Sequence, residues 1–412
     1  MILKVTKTNK VFGDIYISGS KNAALPCICA ALMTKQVVVL DNIPDIEDVN
    51  NLLEIIKSLG VKVKRSLEKV TINAKKIKWV VMSELVSKLR GSYYLMGALL
   101  FREGRIKIKY PGGCDIGSRP IDYHLKGFAK LGFIVEQKED FLEIKKKQVS
   151  SCNITFPSVS LGATINMILA ASSIDGETII NNPSTEPEVE CLVNMLNKMG
   201  ANIEIKEDKV IIKGIKKLKG VNYTNIYDRI EAGSYMILAG AITNSYVVLH
   251  NVNINHLEIV IVLLRKLGVK ITKNNNSLII EGTSKINKTN LLIGSYPFFP
   301  TDLQQILTVL LTKAIGTSKI EDPIFPNRVA HLKELRKMGG YVYDYKHIIY
   351  IKKSILKSAK VKATDLRCAF ALIVAGAMAR GTTYIKDIDY LFRGYVEPLK
   401  KLKSIGINVE II

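Results

Sequence analysis

Six times along the chain a stretch with helical spacing ends in a hydrophobic residue and a glycine, and then turns β-rich: Leu59-Gly60, Leu131-Gly132, Met199-Gly200, Leu267-Gly268, Met338-Gly339 and Ile405-Gly406. The glycines stand 72, 68, 68, 71 and 67 residues apart. A fixed period of this kind means one supersecondary unit repeated, and six copies fill the chain.

A second anchor precedes each glycine, an apolar helix opening at a small or capping residue: Gly19-Ser20, Gly91-Ser92, Gly162-Ala163, Gly233-Ser234, Thr301-Asp302 and Thr364-Asp365. Each unit reads as strand, apolar helix, strand, amphipathic helix, then two strands joined by a turn. In the first, Ile15 to Ser18 alternates, Ala23 to Met33 is an apolar helix, Val37 to Leu40 is a strand, and 49–59 has helical spacing with Leu52, Leu53, Ile56 and Leu59 on one face. Gly60 then takes the position past the helix end, where a positive φ costs glycine little. Helices such as 235–241 and 370–377 are apolar nearly all round, so each must be surrounded by protein. A chain of 412 residues exceeds one core and suits two domains of three repeats each. With two such domains facing each other, the inner helices would point their N-termini, with unpaired N–H groups, into a shared cleft suited to phosphate or carboxylate.

The composition excludes several classes. No apolar run approaches the roughly 18 residues needed to cross a bilayer, and the first residues alternate like a strand and lack the order of a signal peptide; the expected location is the cytoplasm. Six cysteines without C-x-x-C spacing or paired histidines argue against a disulfide framework or a zinc site. Five of them read as core residues and Cys114 does not. A net charge of +22 invites a nucleic-acid reading. The lysines are spread over the whole chain, however, and no platform of aromatic residues interleaved with basic ones is legible, so an anionic small substrate is the preferred partner.

Four segments concentrate chemistry. Ser18 to Pro26 places Lys21 and Asn22 on the first turn of an apolar helix, where a lysine is electrostatically unfavourable unless an anion lies nearby. In 111–124, glycine-rich residues surround Cys114 and lead through Arg119 to a helix expected to begin at Pro120; a thiol beside a cation is reactive. Tyr296 to Gln304 is a rigid turn carrying Asp302, which either merely completes the first helical turn beside a capping box of Thr301 and Gln304 or accepts a proton from a hydroxyl. Arg328, Arg367 and Arg393 stand out among twelve arginines in a lysine-rich chain, because the planar fork suits carboxylate and phosphate.

Taken together, GSKNAALP at 19–26, PGGCDIGSRPIDYHLKG at 111–127, YPFFPTDLQ at 296–304, FPNRVAHLKEL at 325–335, ATDLR at 363–367 and RGY at 393–395 resemble the enolpyruvyl transferase family, in particular its members that act on UDP-N-acetylglucosamine. The resemblance spans essentially the whole chain. It implies an α/β (α+β) fold of two inside-out α/β barrels, each of three βαβαββ repeats, with the active site in the interdomain cleft. It divides the chain into residues 21–228, carrying the cysteine loop, and residues 1–20 with 229–412, carrying the aspartate. It implies transfer of the enolpyruvyl group of phosphoenolpyruvate to the 3-hydroxyl of the UDP-linked amino sugar, by addition and then elimination of phosphate, at the start of peptidoglycan synthesis. No cofactor, metal, nucleic acid or membrane is implied, and a monomer is expected.

By the same resemblance Cys114 is the loop thiol that donates a proton to the methylene carbon and can hold phosphoenolpyruvate covalently, and Asp302 accepts the hydroxyl proton. Lys21, Asn22 and Arg119 would bind phosphoenolpyruvate with Arg393 closing over it, and Arg328 and Arg367 would meet carboxylate or phosphate. Arg90, Arg119, Pro120, Ile121, Asp122 and Tyr123 would hold the UDP-sugar, with Ser160, Gly162 and Ile324. Neutralising the growing negative charge would be the largest catalytic term. Arg119 and Lys21 should lower the thiol pKa, and bound anionic substrate should raise it again. The thiol is also the expected target of the epoxide fosfomycin. The chain departs from the family at Tyr390-Leu391-Phe392 before Arg393, and at Val396, where a glutamate is expected. The rival readings are a shikimate-pathway enolpyruvyl transferase, which lacks the cysteine loop, a nucleic-acid-binding repeat protein, and a silent paralogue.

Overall fold

The computed structural model describes residues 1–112 and 120–412, so the expectations for Cys114 and Arg119 lie outside the described residues. Each repeat contributes an inner and an outer helix. They are α1 (Lys21–Ala30) and α2 (Glu47–Ser58), α3 (Tyr94–Glu103) and α4 (Asp122–Lys130), α5 (Leu161–Ala171) and α6 (Pro187–Lys198), α7 (Arg229–Ala241) and α8 (Glu258–Lys266), α9 (Gln304–Leu311) and α10 (Ala330–Lys337), and α11 (Leu366–Met378) and α12 (Pro398–Ser404). The inner helices are apolar on all sides and buried accordingly; every residue of α7 is buried. The outer ones bury one stripe, as Val49, Leu52, Leu53, Ile55 and Ile56 do on α2. All six closing glycines have positive φ: 90° at Gly60, 90° at Gly132, 101° at Gly200, 100° at Gly268, 82° at Gly339 and 87° at Gly406. An L side chain is strained there, which is why the period is written in glycine.

The chain divides into two compact units, one of residues 1–18 and 227–412 and the other of residues 19–112 and 120–226. Each holds three four-stranded sheets outside its three inner helices. A recurring device joins the repeats: a strand of one pairs in parallel with a strand of another, as Phe12–Tyr16 does with Tyr246–His250 and Asn222–Thr224 with Val37–Asp41. The strand Ile2–Thr6 lies antiparallel between Thr382–Lys386 and Val409–Ile411. No helix among the described residues is long and apolar enough to cross a membrane.

Several expectations need correction. Helix α7 opens at Asp228, whose Oδ1 accepts from the Ile230 and Glu231 amides at 2.8 and 2.9 Å, so Gly233-Ser234 lies a full turn inside it. Helix α4 begins at Asp122 with Pro120 ahead of it, within the ordinary uncertainty of a helix end. Cys152 is only partly buried, unlike Cys27, Cys29, Cys191 and Cys368. An aromatic and basic face does exist: Tyr341, Tyr343 and Tyr345 lie beside Tyr350 on one sheet. Its rings are spent on one another and on lysines, with Tyr343 and Tyr350 stacked at 5.1 Å and 7° and Lys352 4.8 Å above Tyr341.

Candidate active site

Residues 301–303 form a 3-10 turn that leads into α9 and holds Asp302 28% exposed at its carboxylate. Arg328 Nη1 donates to Oδ1 at 2.9 Å, and Arg367 donates to Oδ2 from Nη2 at 2.9 Å and from Nε at 3.2 Å. Both guanidinium side chains are almost wholly buried, at 4% and 3% exposed. The predicted capping box is not made: the Thr301 hydroxyl donates to Asp322 Oδ2 at 2.5 Å, and Gln304 opens α9.

Behind this group stands Asp365, the cap of α11, accepting from the Arg367 and Cys368 amides at 2.9 and 3.2 Å and from Gln305 Nε2 at 3.0 Å. Its Oδ1 lies 3.9 Å from Arg328 Nη2. Burial opposes the charge on Arg367, but the Asp302 carboxylate beside it, with Tyr395 and Asp228, holds the guanidinium above its ordinary pKa. Its carbon sits 5.3 Å from the ring of Tyr395, a buried side chain whose hydroxyl is 2.8 Å from Ser234 Oγ. Arg393 ends the 3-10 segment Ile388–Arg393, and Ile324 is exposed on the loop before Arg328. The structure therefore joins Asp302, Arg328 and Arg367 into one cluster and adds Asp365 and Tyr395. Sequence reasoning used Asp365 only as a helix opener.

In the other unit Ser20 caps α1, accepting from the Ala23 amide at 3.3 Å. Lys21 and Asn22 follow, half-buried. The anion expected near Lys21 is internal: Asp48 Oδ2 lies 3.2 Å from Nζ, with both side chains nearly buried. Arg90 donates to the Pro111 carbonyl at 3.3 Å and its guanidinium lies 5.4 Å from the ring of Tyr93. Tyr93 packs edge-on against His124 at 4.8 Å. Ser160 caps α5, and a Cβ on Gly162 would come within 2.8 Å of Tyr93 Oη and 2.9 Å of His124 Cε1. Only glycine lets those rings lie over the start of α5. The Asn166 amide is 2.8 Å from His124 Nδ1, which places the imidazole proton on Nε2. Burial, helped by the Arg90 charge, pushes the His124 pKa down to about 3, so the ring is neutral. Tyr123 Oη is 3.1 Å from Ser158 Oγ, and Asp122 faces Lys126 at 3.5 Å. Pro120 is exposed and Ile121 and Asp122 are half-buried. The structure thus gathers Arg90, Ser160 and Gly162 around Tyr93 and His124, two residues that sequence reasoning did not assign. Their only sequence signal is proximity to motifs already singled out.

One unit thus holds a carboxylate gripped by two buried arginines, and the other holds a lysine and an arginine at helix starts, side chains of the kind that suit anionic reactants. The profile of the EPSP synthase (3-phosphoshikimate 1-carboxyvinyltransferase) family matches residues 5–402, and the chain belongs to that family. Among its relatives is UDP-N-acetylglucosamine 1-carboxyvinyltransferase 1 of Caldanaerobacter subterraneus subsp. tengcongensis, 40% identical over 409 residues and covering 98% of both chains. UDP-N-acetylglucosamine 1-carboxyvinyltransferase of Halothermothrix orenii is 40% identical over 403 residues, 97% of each chain. In fold the chain matches the enolpyruvyl transferase NikO from Streptomyces tendae, with a TM-score of 0.91 at 22% identity over 99% of this chain and 98% of that one.

Proposed function

We propose that this chain transfers the enolpyruvyl group of phosphoenolpyruvate to the 3-hydroxyl of UDP-N-acetylglucosamine, releasing phosphate, the reaction that commits the sugar to peptidoglycan. The sugar oxygen bonds to C2 of phosphoenolpyruvate while a proton is added to the methylene C3. In the second step the C2–O bond to phosphate breaks and C3 gives a proton back, restoring the double bond. Asp302 takes the hydroxyl proton in the first step, and Cys114 is assigned the proton delivered to C3. Lys21, Asn22, Arg119, Arg328, Arg367 and Arg393 are assigned to the carboxylate and phosphate, and Arg90, residues 120–123, Ser160, Gly162 and Ile324 to the UDP-sugar.

The observation that carries this reading is Asp302, part-exposed between two buried arginines. Doubly paired, the carboxylate is a poor base. Arriving anions compete for the guanidinium N–H groups and loosen the pairs, so basicity rises when substrate is present. The reading takes the cytoplasm as the site of action and one chain as the working unit. Phosphate release from phosphoenolpyruvate, measured with UDP-N-acetylglucosamine and separately with shikimate 3-phosphate, tests the assignment. Release with the UDP-sugar alone is expected; release with neither acceptor would overturn it.

A further inference from the structure

His331, the second residue of α10, is wholly buried, and among the described residues neither of its ring nitrogens has a hydrogen-bond partner. Burial holds its pKa down to about 3, with Arg328 and Arg336 pushing the same way and Asp365 opposing them. The ring is therefore neutral, with one N–H and one lone pair. A buried imidazole without a hydrogen-bond partner among the described residues is destabilising relative to a leucine of similar volume, so stability does not account for it.

Three residues earlier, Arg328 carries the complementary deficit. Its Nη1 is crowded, donating to Asp302 Oδ1 at 2.9 Å, to the Thr301 carbonyl at 3.2 Å and to Thr301 Oγ1 at 3.4 Å. Its Nε–H is buried and has no partner among the described residues. Nη2 reaches Asp365 only at ion-pair distance, 3.9 Å. The guanidinium is held firmly on the Asp302 side and loosely on the side away from it. An unmet donor on Arg328 and an unmet acceptor on His331 thus belong to neighbouring residues, close enough that the Arg328 charge helps keep the ring neutral.

We propose that His331 is a positioning residue for Arg328: one ring nitrogen is the acceptor that the Arg328 Nε–H meets when substrate draws the guanidinium off Asp302. The new bond holds Arg328 toward the substrate anion and leaves Oδ1 of Asp302 free to take the hydroxyl proton. Asp365, paired to Gln305 and to the start of α11, is the fixed post about which the fork turns. The inference rests on the enolpyruvyl-transfer reading.

The test is a double-mutant cycle on the intact chain, with kcat and KM from phosphate release and thermal unfolding measured alongside. His331→Leu is expected to unfold no earlier than wild type and to lose about 10-fold or more in kcat with little change in KM. His331→Asn or His331→Gln, which restores an acceptor, is expected to recover most of that loss. Added to Arg328→Lys, which lacks the Nε–H, His331→Leu should cost less than about 2-fold further. A leucine variant at wild-type kcat, or losses that multiply in the double variant, overturns the inference. Should the leucine variant not fold, ¹⁵N-histidine NMR of the wild type decides. One His331 ring nitrogen must shift when phosphoenolpyruvate and the UDP-sugar are added together, and an unmoved resonance overturns the inference. Wild-type enzyme releasing no phosphate overturns the functional reading itself, and the inference with it.

Discussion

In the proposed reaction Asp302 is the proton acceptor, and its setting between Arg328 and Arg367 makes a sharp prediction. Replacing it with Asn keeps the shape and one acceptor oxygen but sets an NH2 group against one of the two arginines and removes the carboxylate, so Asp302→Asn should lose about 10²- to 10⁴-fold in the rate of phosphate release. Activity within a few-fold of wild type would remove Asp302 from the proton path. Fosfomycin should label the wild type at Cys114 and leave Cys114→Ser untouched, read as a mass increase on the peptide containing residue 114. At this scale the sequence was informative about residue types and weak about partners. Asp302, Arg328 and Arg367 could be singled out because arginine is scarce in a lysine-rich chain and an acid at the end of a rigid apolar turn is conspicuous. That the two arginines grip opposite oxygens of one carboxylate depends on α11 lying beside the 301–303 turn, and no local pattern encodes that. Asp48 escaped notice for the same reason, since it reads as an ordinary acid in the first turn of α2.

The elements are best understood through what fixes them to each other. Helix α12 is tied to the core by Lys401, whose Nζ lies 2.7 Å from Glu231 Oε1 and 2.7 Å from Ser18 Oγ, while the Ser18 amide donates to Glu231 Oε2 at 2.8 Å. Burial raises the Glu231 pKa, and Lys401 is the main influence opposing it. Lys401→Met strands a buried acid and should lower unfolding free energy by about 3–5 kcal/mol in denaturant titrations, whereas adding Glu231→Gln should recover much of it. The double variant being no better than the single one would show that the pair is not the fastening. Helix α3 lies so close to α5 that a Cβ on Gly97 would come within 2.6 Å of the Asn166 carbonyl; Gly97→Ala should cost about 1–3 kcal/mol by the same measurement. The repeating strand and helix order, and every closing glycine, could be read from the period because each reflects a local demand on φ or on one helix face. The opening of α7 could not: Gly233-Ser234 matched the period, but Asp228 offered a better cap, and the apolar run allowed the helix to start there. The tyrosine face was missed because Tyr350 meets Tyr343 only after two strands pair.

At the scale of the whole molecule, one neutral buried histidine lies in each unit, His124 in one and His331 in the other. Between about pH 3 and 6.5 the unfolded chain binds a proton at each position that the native state refuses. Stability is therefore full above about pH 6.5 and falls as the solution is acidified, by about 1.4 kcal/mol per pH unit for each histidine. Urea titrations at pH 7 and pH 5 should differ by about 2 kcal/mol per unit, and His124→Gln should flatten the dependence only in the unit that contains it, as read by hydrogen exchange. Equal curves at both pH values would mean that the rings are charged in the fold. The path of the chain also has a temporal meaning. Ile2–Thr6 leaves the ribosome well over 300 residues before both strands it pairs with, Thr382–Lys386 and Val409–Ile411. At about 5–20 residues per second that wait is on the order of half a minute. The unit of residues 19–112 and 120–226 can complete itself meanwhile, and the strand Ile2–Thr6 is left without its native neighbours in sheet until those two strands have been made.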